Sequence, residues 1–502
     1  MSGPASETLV LLALGLPALG AVGIALTGRI ANLREAVTLS AAGATFAVVT
    51  TLLLRVLDGE RPAAGGWEVF GGLEIAFAVE PLGMIFGMVA SGLWIVNSIY
   101  SIGYMRANDE PRQTPFYICF AVAISSAIGI AFSGNLLTLF LFYEILTIST
   151  YPLVTHRGTD EARTKGRVYL LLLMATSMVL LLPAVIWTWV AAGTLDFTPG
   201  GILAAAGLSG GAVGLLLALY IFGIGKAAVM PVHFWLPAAM VAPTPVSALL
   251  HAVAVVKAGV FTVVKVIVYI FGIDFLAASG ANQWLIYVAG TTIILASLIA
   301  MTKDNLKARL AYSTISQLGY VVVGALLATP YGIIGSGMHI AMHAVGKITL
   351  FFCAGAIYTA ARKTKVSELA GLGRRMPFTF AAFLIASLSI IGLPPLGGLW
   401  SKWYLALGAL DAGQFFVLAA LMLSSLLNVA YLLPIPFRAF FGNEAPDAGQ
   451  PGEPAGAEAP GGTIREAPPA CLIAIGLTAL GCVALFFFPG PLLDLLTQIP
   501  LR

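Results

Sequence analysis

Charge is the scarcest property of this sequence. Of its 502 residues, 10% are Asp, Glu, Lys or Arg, where a soluble domain carries about 25%. So few charges cannot cover a water-facing surface, which excludes a cytosolic enzyme and a secreted domain. A net charge of +3 is too small to hold a polyanion, so nucleic acid is not an expected partner. Cysteine is scarce too. Cys119, Cys353, Cys471 and Cys482 have no paired spacing that would suit a metal or a disulfide framework. There is no glycine-rich nucleotide loop and no haem pattern, so no cofactor is expected. What the chain does have is apolar residues, 59% of the total, arranged in long runs. It reads as an all-α integral membrane protein.

A bilayer core needs about 20 apolar residues per helix. Such stretches fall at 9–27, 36–56, 82–105, 115–133, 135–154, 168–191, 211–236, 246–271, 284–301, 308–328, 335–360, 378–407, 415–440 and 470–489. They are numbered helices 1 to 14 in that order. Helix 1 lacks the basic leader of a cleaved signal peptide. Loops after odd-numbered helices hold eighteen Lys and Arg, from Arg29 to Arg465, whereas the other side holds three, Arg55, Arg61 and Arg502. The positive-inside bias puts the basic side in the cytoplasm and both termini at the periplasm of a bacterial inner membrane. Between spans, Trp67-Glu68-Val69-Phe70 and Leu73-Glu74-Ile75-Ala76-Phe77 alternate like an external hairpin. Residues 192–210 read as a surface connection. Residues 442–469, rich in Gly, Pro, Ala and Glu, read as a flexible cytoplasmic linker.

Almost every charge falls in a loop. The exceptions are Lys226, Lys257, Lys265, Lys347, Lys402 and one acid, Glu144. A charge at the bilayer centre costs at least about 2.5–3.5 kcal/mol, so such residues face protein or water and usually function. One carboxylate cannot balance five ammonium groups, so some lysines are expected to be neutral part of the time, as a proton relay needs. Glu144 and Lys226 are expected to pair when both are charged. Each has a blander reading. Glu144 suits a structural bond to a helix backbone, and Lys265, near the outer end of helix 8, suits snorkelling to the interface; for Lys265 that is the preferred reading. His251 reads equally as a hydrogen-bonded core residue or as a switchable charge.

His339, His343 and Lys347 recur every four residues and share one stripe of helix 11. A packing stripe would be apolar there, so a titratable file is expected. A metal is the rival, but no carboxylate or thiolate nearby completes a site. Helix 7 contains Lys226 and then Met230-Pro231, and helix 12 contains Gly392-Leu393-Pro394-Pro395 before Lys402. Proline breaks a helix ladder, which a membrane tolerates only where the freed groups are buried in protein or line a cavity. Breaks five helices apart point to two inverted five-helix repeats, helices 4–8 and 9–13. The organisation expected is therefore 1–110 for helices 1–3 with the hairpin, 111–275 and 276–441 for the repeats, each a proton half-channel, 442–469 for the linker and 470–502 for helix 14.

The chain resembles the antiporter-like proton-translocating family shared by Mrp-type cation/proton antiporters and the membrane arm of respiratory complex I. The resemblance spans helices 3 to 13. It rests on Phe142-Tyr143-Glu144, Gly225-Lys226 with Pro231-Val232-His233-Phe234-Trp235-Leu236-Pro237, and Ala242-Pro243-Thr244-Pro245-Val246-Ser247-Ala248 with Lys257. Leu310 to Tyr320 and Gly392-Leu393-Pro394-Pro395 with Lys402 complete it. It implies that Glu144 and Lys226 form the pair of the first half-channel, that Lys257 connects the halves, and that Lys402 ends the second. M-type complex I subunits are similar but have glutamate where Lys402 stands. L-type complex I subunits and A-type Mrp subunits are longer. The resemblance is therefore to the D-type Mrp subunit, with N-type and hydrogenase-linked subunits as near relatives. It does not assign His251, His339 or His343, which join Lys347 as relay candidates. The implied function is proton exchange for sodium or another monovalent cation within a hetero-oligomer. The alternatives are a redox-driven pump, whose electron carriers would lie in partners, and a scaffold or import module. No sodium site is identified, because one buried carboxylate is thin support for a hard cation.

Overall fold

The structure is a computed structural model, and it describes residues 4–443 and 464–501. The expected linker lies mostly outside the described residues, as does Arg502. Within them the chain is helical apart from one two-stranded hairpin. Eleven helices are long and apolar enough to cross a membrane, against fourteen expected. Each difference has a local reason. Helices 7 and 12 are interrupted, leaving Gly210–Gly223 and Pro377–Ile391 as shorter apolar pieces. Helix 10, Leu306–Leu326, is continuous, but Ser313, Thr314, Ser316 and Gln317 dilute its apolar character.

The core sits around two helices. Every residue in the most apolar stretch of helix 8, Thr244–Phe271, is buried, as is 94% of that of helix 11, Pro330–Ala361. Helices 1, 2, 6 and 14 are only about one-third buried and form the rim. Polar side chains on helices 8 and 11 therefore face protein on all sides.

The two sets of five helices repeat one order of features. In each set the third member is the longest, Asp160–Ala192 in the first and Pro330–Ala361 in the second, and the fourth is broken. Helix 6 begins eight residues before its apolar run, because Thr159 caps it, its hydroxyl accepting from the Ala162 N–H. Asp160 and Glu161 then sit where the helix dipole favours acids.

On the side opposite the basic loops, Ala63–Phe70 pairs antiparallel with Leu73–Ala78. The hairpin grips the turn between helices 4 and 5, where Gly134 N donates to Ala76 O and Ala78 N to Phe132 O. The 192–210 segment is more than a surface connection. Thr198 N donates to Tyr269 O and Ile202 N to Ile270 O, supplying donors to carbonyls that the end of helix 8 leaves open. Leu203 is fully buried there.

Candidate functional site

Helix 7 stops at Gly223, makes one tight turn at Gly225–Ala227 and resumes at Trp235–Ala238. Lys226 lies in the break and is fully buried. Its ammonium donates to Tyr143 O at 2.9 Å and Thr147 Oγ1 at 2.6 Å, and lies 3.1 Å from the centroid of the Tyr143 ring. Trp235 Nε1 donates to Gly225 O, so the break is stitched by side chains. Helix 8 passes close behind: a Cβ on Gly259 would overlap the backbone of Lys226 and Ala227.

Glu144 is buried, and neither carboxylate oxygen has a hydrogen-bond partner within the described residues. The expected ion pair with Lys226 is not closed, because the ammonium is turned toward helix 5's own carbonyl and hydroxyl. Around Glu144, Leu141, Ile145 and Ile148 are exposed. The carboxylate thus sits beside the outward face of helix 5, away from the molecule's centre.

At the centre, Lys257 Nζ lies 2.6 Å from His343 Nδ1. One turn along helix 11, His339 Nδ1 lies 2.9 Å from Ser401 Oγ, and the two imidazole centroids are 5.7 Å apart. Ser401 Oγ donates to Gly398 O, so it accepts from His339, which leaves His339 Nε2 unpartnered. His339 also stacks on Tyr320, with 5.3 Å between ring centroids.

Ser401 adjoins Lys402, where helix 12, stopped at Ile391, has restarted at Gly398. In a continuous helix, Ile391 O would accept from residue 395, but Pro395 has no N–H. Lys402 Nζ fills that role, donating to Ile391 O at 2.8 Å and Ser425 Oγ at 2.9 Å. Gly392, at φ +90°, makes room: a Cβ there would come within 2.8 Å of Lys402 Cδ. The ammonium lies 5.0 Å from the Tyr320 ring centroid. On the other flank of helix 11, Lys347 Nζ donates to Ser313 Oγ at 2.6 Å, and Tyr431 OH donates to that same Ser313 oxygen.

The structure therefore brings Lys257, His343, His339 and Ser401 into one buried file, with partly buried Lys402 next to Ser401 in the chain and Lys347 one turn from His343 on the same helix. No hydrogen bond among the described residues joins this file to Lys226 or Glu144. His251 stands apart as well. It is fully buried, with both ring nitrogens unpartnered and its ring 4.8 Å from that of Phe351. It occupies a wide turn, Leu249–Val253, in a helix that the sequence presents as a plain span. Lys265 corrects its preferred reading. It does not snorkel: its ammonium is buried and bonded to Glu80 Oε1 at 2.9 Å and Ser133 O at 2.7 Å.

Sequence reasoning missed the neutral partners Tyr143, Thr147, Ser313, Ser401, Ser425 and Tyr431. Only adjacency hinted at them, with Tyr143 beside Glu144 and Ser401 beside Lys402. Among the described residues, no group of three or more His, Cys, Asp or Glu could hold a metal.

Comparison with known proteins agrees with this architecture. The family described as NADH:quinone oxidoreductase/Mrp antiporter, TM, matches residues 133–428, more than half the chain. NADH-quinone oxidoreductase subunit N of Desulforudis audaxviator (strain MP104C) is 31% identical over 448 residues, covering 88% of this chain and 87% of the relative. The A/B subunit of a probable K(+)/H(+) antiporter of Rhizobium meliloti (strain 1021) is 32% identical over 345 residues, covering 67% of this chain and 33% of that longer protein. A chain in the structure of the Mrp complex from Dietzia sp. DQ12-45-1b superposes with a TM-score of 0.86 at 22% identity, covering 99% of this chain and 97% of that one; at that identity it speaks for the fold alone. The chain belongs to the NADH:quinone oxidoreductase/Mrp antiporter membrane family, as an antiporter-like, multi-pass subunit of the kind that Mrp and complex I-type proton-translocating assemblies share.

Proposed function

We propose that this chain is the proton-translocating subunit of a multisubunit antiporter, akin to the D-type Mrp subunit, that exchanges protons for sodium or another monovalent cation. It lies in a bacterial cytoplasmic membrane with the basic loops inward and both termini outward. Helices 4–8 and 9–13 each form a half-channel. Glu144 and Lys226 serve the first, Lys257 joins the two, and Lys402 ends the second, with His339, His343 and Lys347 as relay groups. His251 acts on the flank, beside Lys347.

The observation that carries this reading is the buried contact between Lys257 and His343 at 2.6 Å, followed by His339 and Ser401. The two rings are stacked, with centroids 5.7 Å apart. An amine and imidazoles exchange protons at hydrogen-bond distance, and helices 8 and 11 keep them from lipid. A second reading makes the same machinery part of a redox-driven pump. It is supported by the likeness to a complex I subunit N along 88% of this chain.

Purification in mild detergent separates the two by partner: small antiporter subunits in one case, iron–sulfur proteins in the other. Proton and sodium flux in vesicles then tests the residues. Glu144→Ala and Lys226→Ala should insert normally and lose transport. Retained transport in either would refute the assignment.

A further inference from the structure

On the basic side, the turn between helices 5 and 6 and Arg112 before helix 4 form a half-open cleft of about 290 Å³, lined by Arg112, Tyr151, Thr155, Gly158, Arg163 and Arg167. That is close to the roughly 300 Å³ at which ligand pockets begin. Three arginines, a tyrosine and a threonine thus line one cleft. Protein partners account for little of that charge. Arg163 lies 3.7 Å from Asp160, but both side chains are exposed, so water screens the pair. Arg112 donates to the His156 carbonyl, which carries no net charge. Among the described residues, Arg167 has no hydrogen-bond or ion-pair partner. Gly158, at φ +69°, keeps the mouth open, since a Cβ there would stand 3.0 Å from Arg112 Nη2.

What lies beside the cavity selects its occupant. Along helix 6, Arg163 and Arg167 are followed on the same face by exposed Leu171, with exposed Val168 adjoining. Along helix 5, the face that reaches Tyr151 and Thr155 continues through exposed Ile148, Ile145 and Leu141. On both helices the order is polar, then apolar, running into the membrane. Free phosphate would use only the first part, and an acidic protein segment would leave the apolar lane bare. A phospholipid with an anionic headgroup matches both.

We infer that this cavity binds the phosphodiester headgroup of an anionic phospholipid, whose acyl chains lie along the lane between helices 5 and 6. Basic pockets between membrane helices favour such headgroups. The site is independent of the transport assignment.

The test uses the full chain, purified in mild detergent with its co-purifying subunits. Lipids carried through purification are counted by native mass spectrometry, and affinity is measured in nanodiscs of phosphatidylglycerol or phosphatidylcholine. Wild type should retain the anionic lipid and discriminate against the zwitterionic one. Arg167→Ala, which breaks no hydrogen bond or ion pair among the described residues, should weaken phosphatidylglycerol binding about fivefold, and Arg163→Ala/Arg167→Ala about 20- to 30-fold. Lys165→Ala, half a helical turn round from Arg163 and Arg167, should leave binding unchanged. The inference falls if Arg167→Ala binds as tightly as wild type, or if Lys165→Ala weakens binding equally. It also falls if inorganic phosphate alone displaces the lipid at equal concentration, or if the acidic segment of another protein crosslinks at position 167 in place of lipid.

Discussion

Replacing His343 separates what holds the central file together from what the proposed proton relay requires of it. The contact with His343 Nδ1 is the one hydrogen bond of the Lys257 ammonium among the described residues. His343→Leu therefore leaves a buried donor with no acceptor. The cost is about 1–3 kcal/mol for a neutral amine, and about 3–5 kcal/mol if the amine stays charged. His343→Asn places an amide oxygen near the position of Nδ1, so Lys257 keeps an acceptor and stability should stay within about 1 kcal/mol of wild type. An amide does not titrate in this range, however, so neither variant relays protons. The next titratable ring toward Lys402 is that of His339, its centroid 5.7 Å from that of His343, and it has no hydrogen bond to Lys257 among the described residues. Proton flux should fall at least about a hundredfold in both variants, the lower end of what a positioned acid–base group contributes. The assay is a pH-sensitive dye in vesicles carrying equal amounts of inserted protein, alongside thermal unfolding in detergent. The reasoning fails if His343→Asn transports at the wild-type rate. It also fails if the flux lost in His343→Leu tracks its lost stability and not the missing imidazole.

Glu80→Gln should cost about 3 kcal/mol, because it strips the carboxylate from the buried Lys265 ammonium; flux per folded molecule should stay near wild type, and a full loss of transport would make that pair part of the pathway. Gly259→Ala should destabilise by about 1–3 kcal/mol and lower flux, since the new methyl pushes on the break at Lys226, whereas Gly43→Ala on helix 2, with open space around it, should do neither. Burial pushes the His156 imidazole below its ordinary value, with the carboxylate of Glu110 opposing. Its folded form therefore disfavours the proton that the unfolded chain takes up, so its stability contribution is complete above about pH 6.5 and is lost as pH falls. Melting temperatures from pH 8 to 5 should drop on the acid side, and His156→Asn should flatten that limb; an unchanged limb would count against the assignment.

The stranded lysines were legible because a bilayer penalises charge so heavily that Lys226, Lys257, Lys347 and Lys402 stand out from composition alone. Their partners were not. A serine or threonine in a membrane helix satisfies itself by bonding back one turn, as Thr147 Oγ1 does to Tyr143 O, so nothing in the sequence distinguishes Thr147 from such residues as Thr262 or Thr349. The Lys265–Glu80 pair joins residues far apart in sequence, and Glu80 sits just before helix 3, where an acid reads as part of a loop. The early start of helix 6 was hidden because Asp160 to Arg167 is charged, and apolar runs begin only after it. The break at His251 was hidden for the opposite reason, since Leu249–Val253 is as apolar as its surroundings.

The partners of the lysines assigned to the proposed relay bear on how a proton would be kept mobile. Lys265 is bonded to a carboxylate, and removing its proton would strand a buried anion; such a pair is a fixed strut. Lys226, Lys347 and Lys402 instead rest on neutral oxygens, in each case one backbone carbonyl and one hydroxyl. A neutral cradle solvates an ammonium yet leaves no opposite charge behind when the proton departs, and the hydroxyl can turn to donate to the free amine. Pro395 contributes to that cradle by withholding the N–H that would otherwise occupy Ile391 O. The break in helix 12 and the lysine that follows it thus form one device, in which the interrupted ladder supplies the acceptor. The break in helix 7 places Lys226 over helix 5 to the same effect, so that each interruption coincides with a lysine held by neutral oxygens.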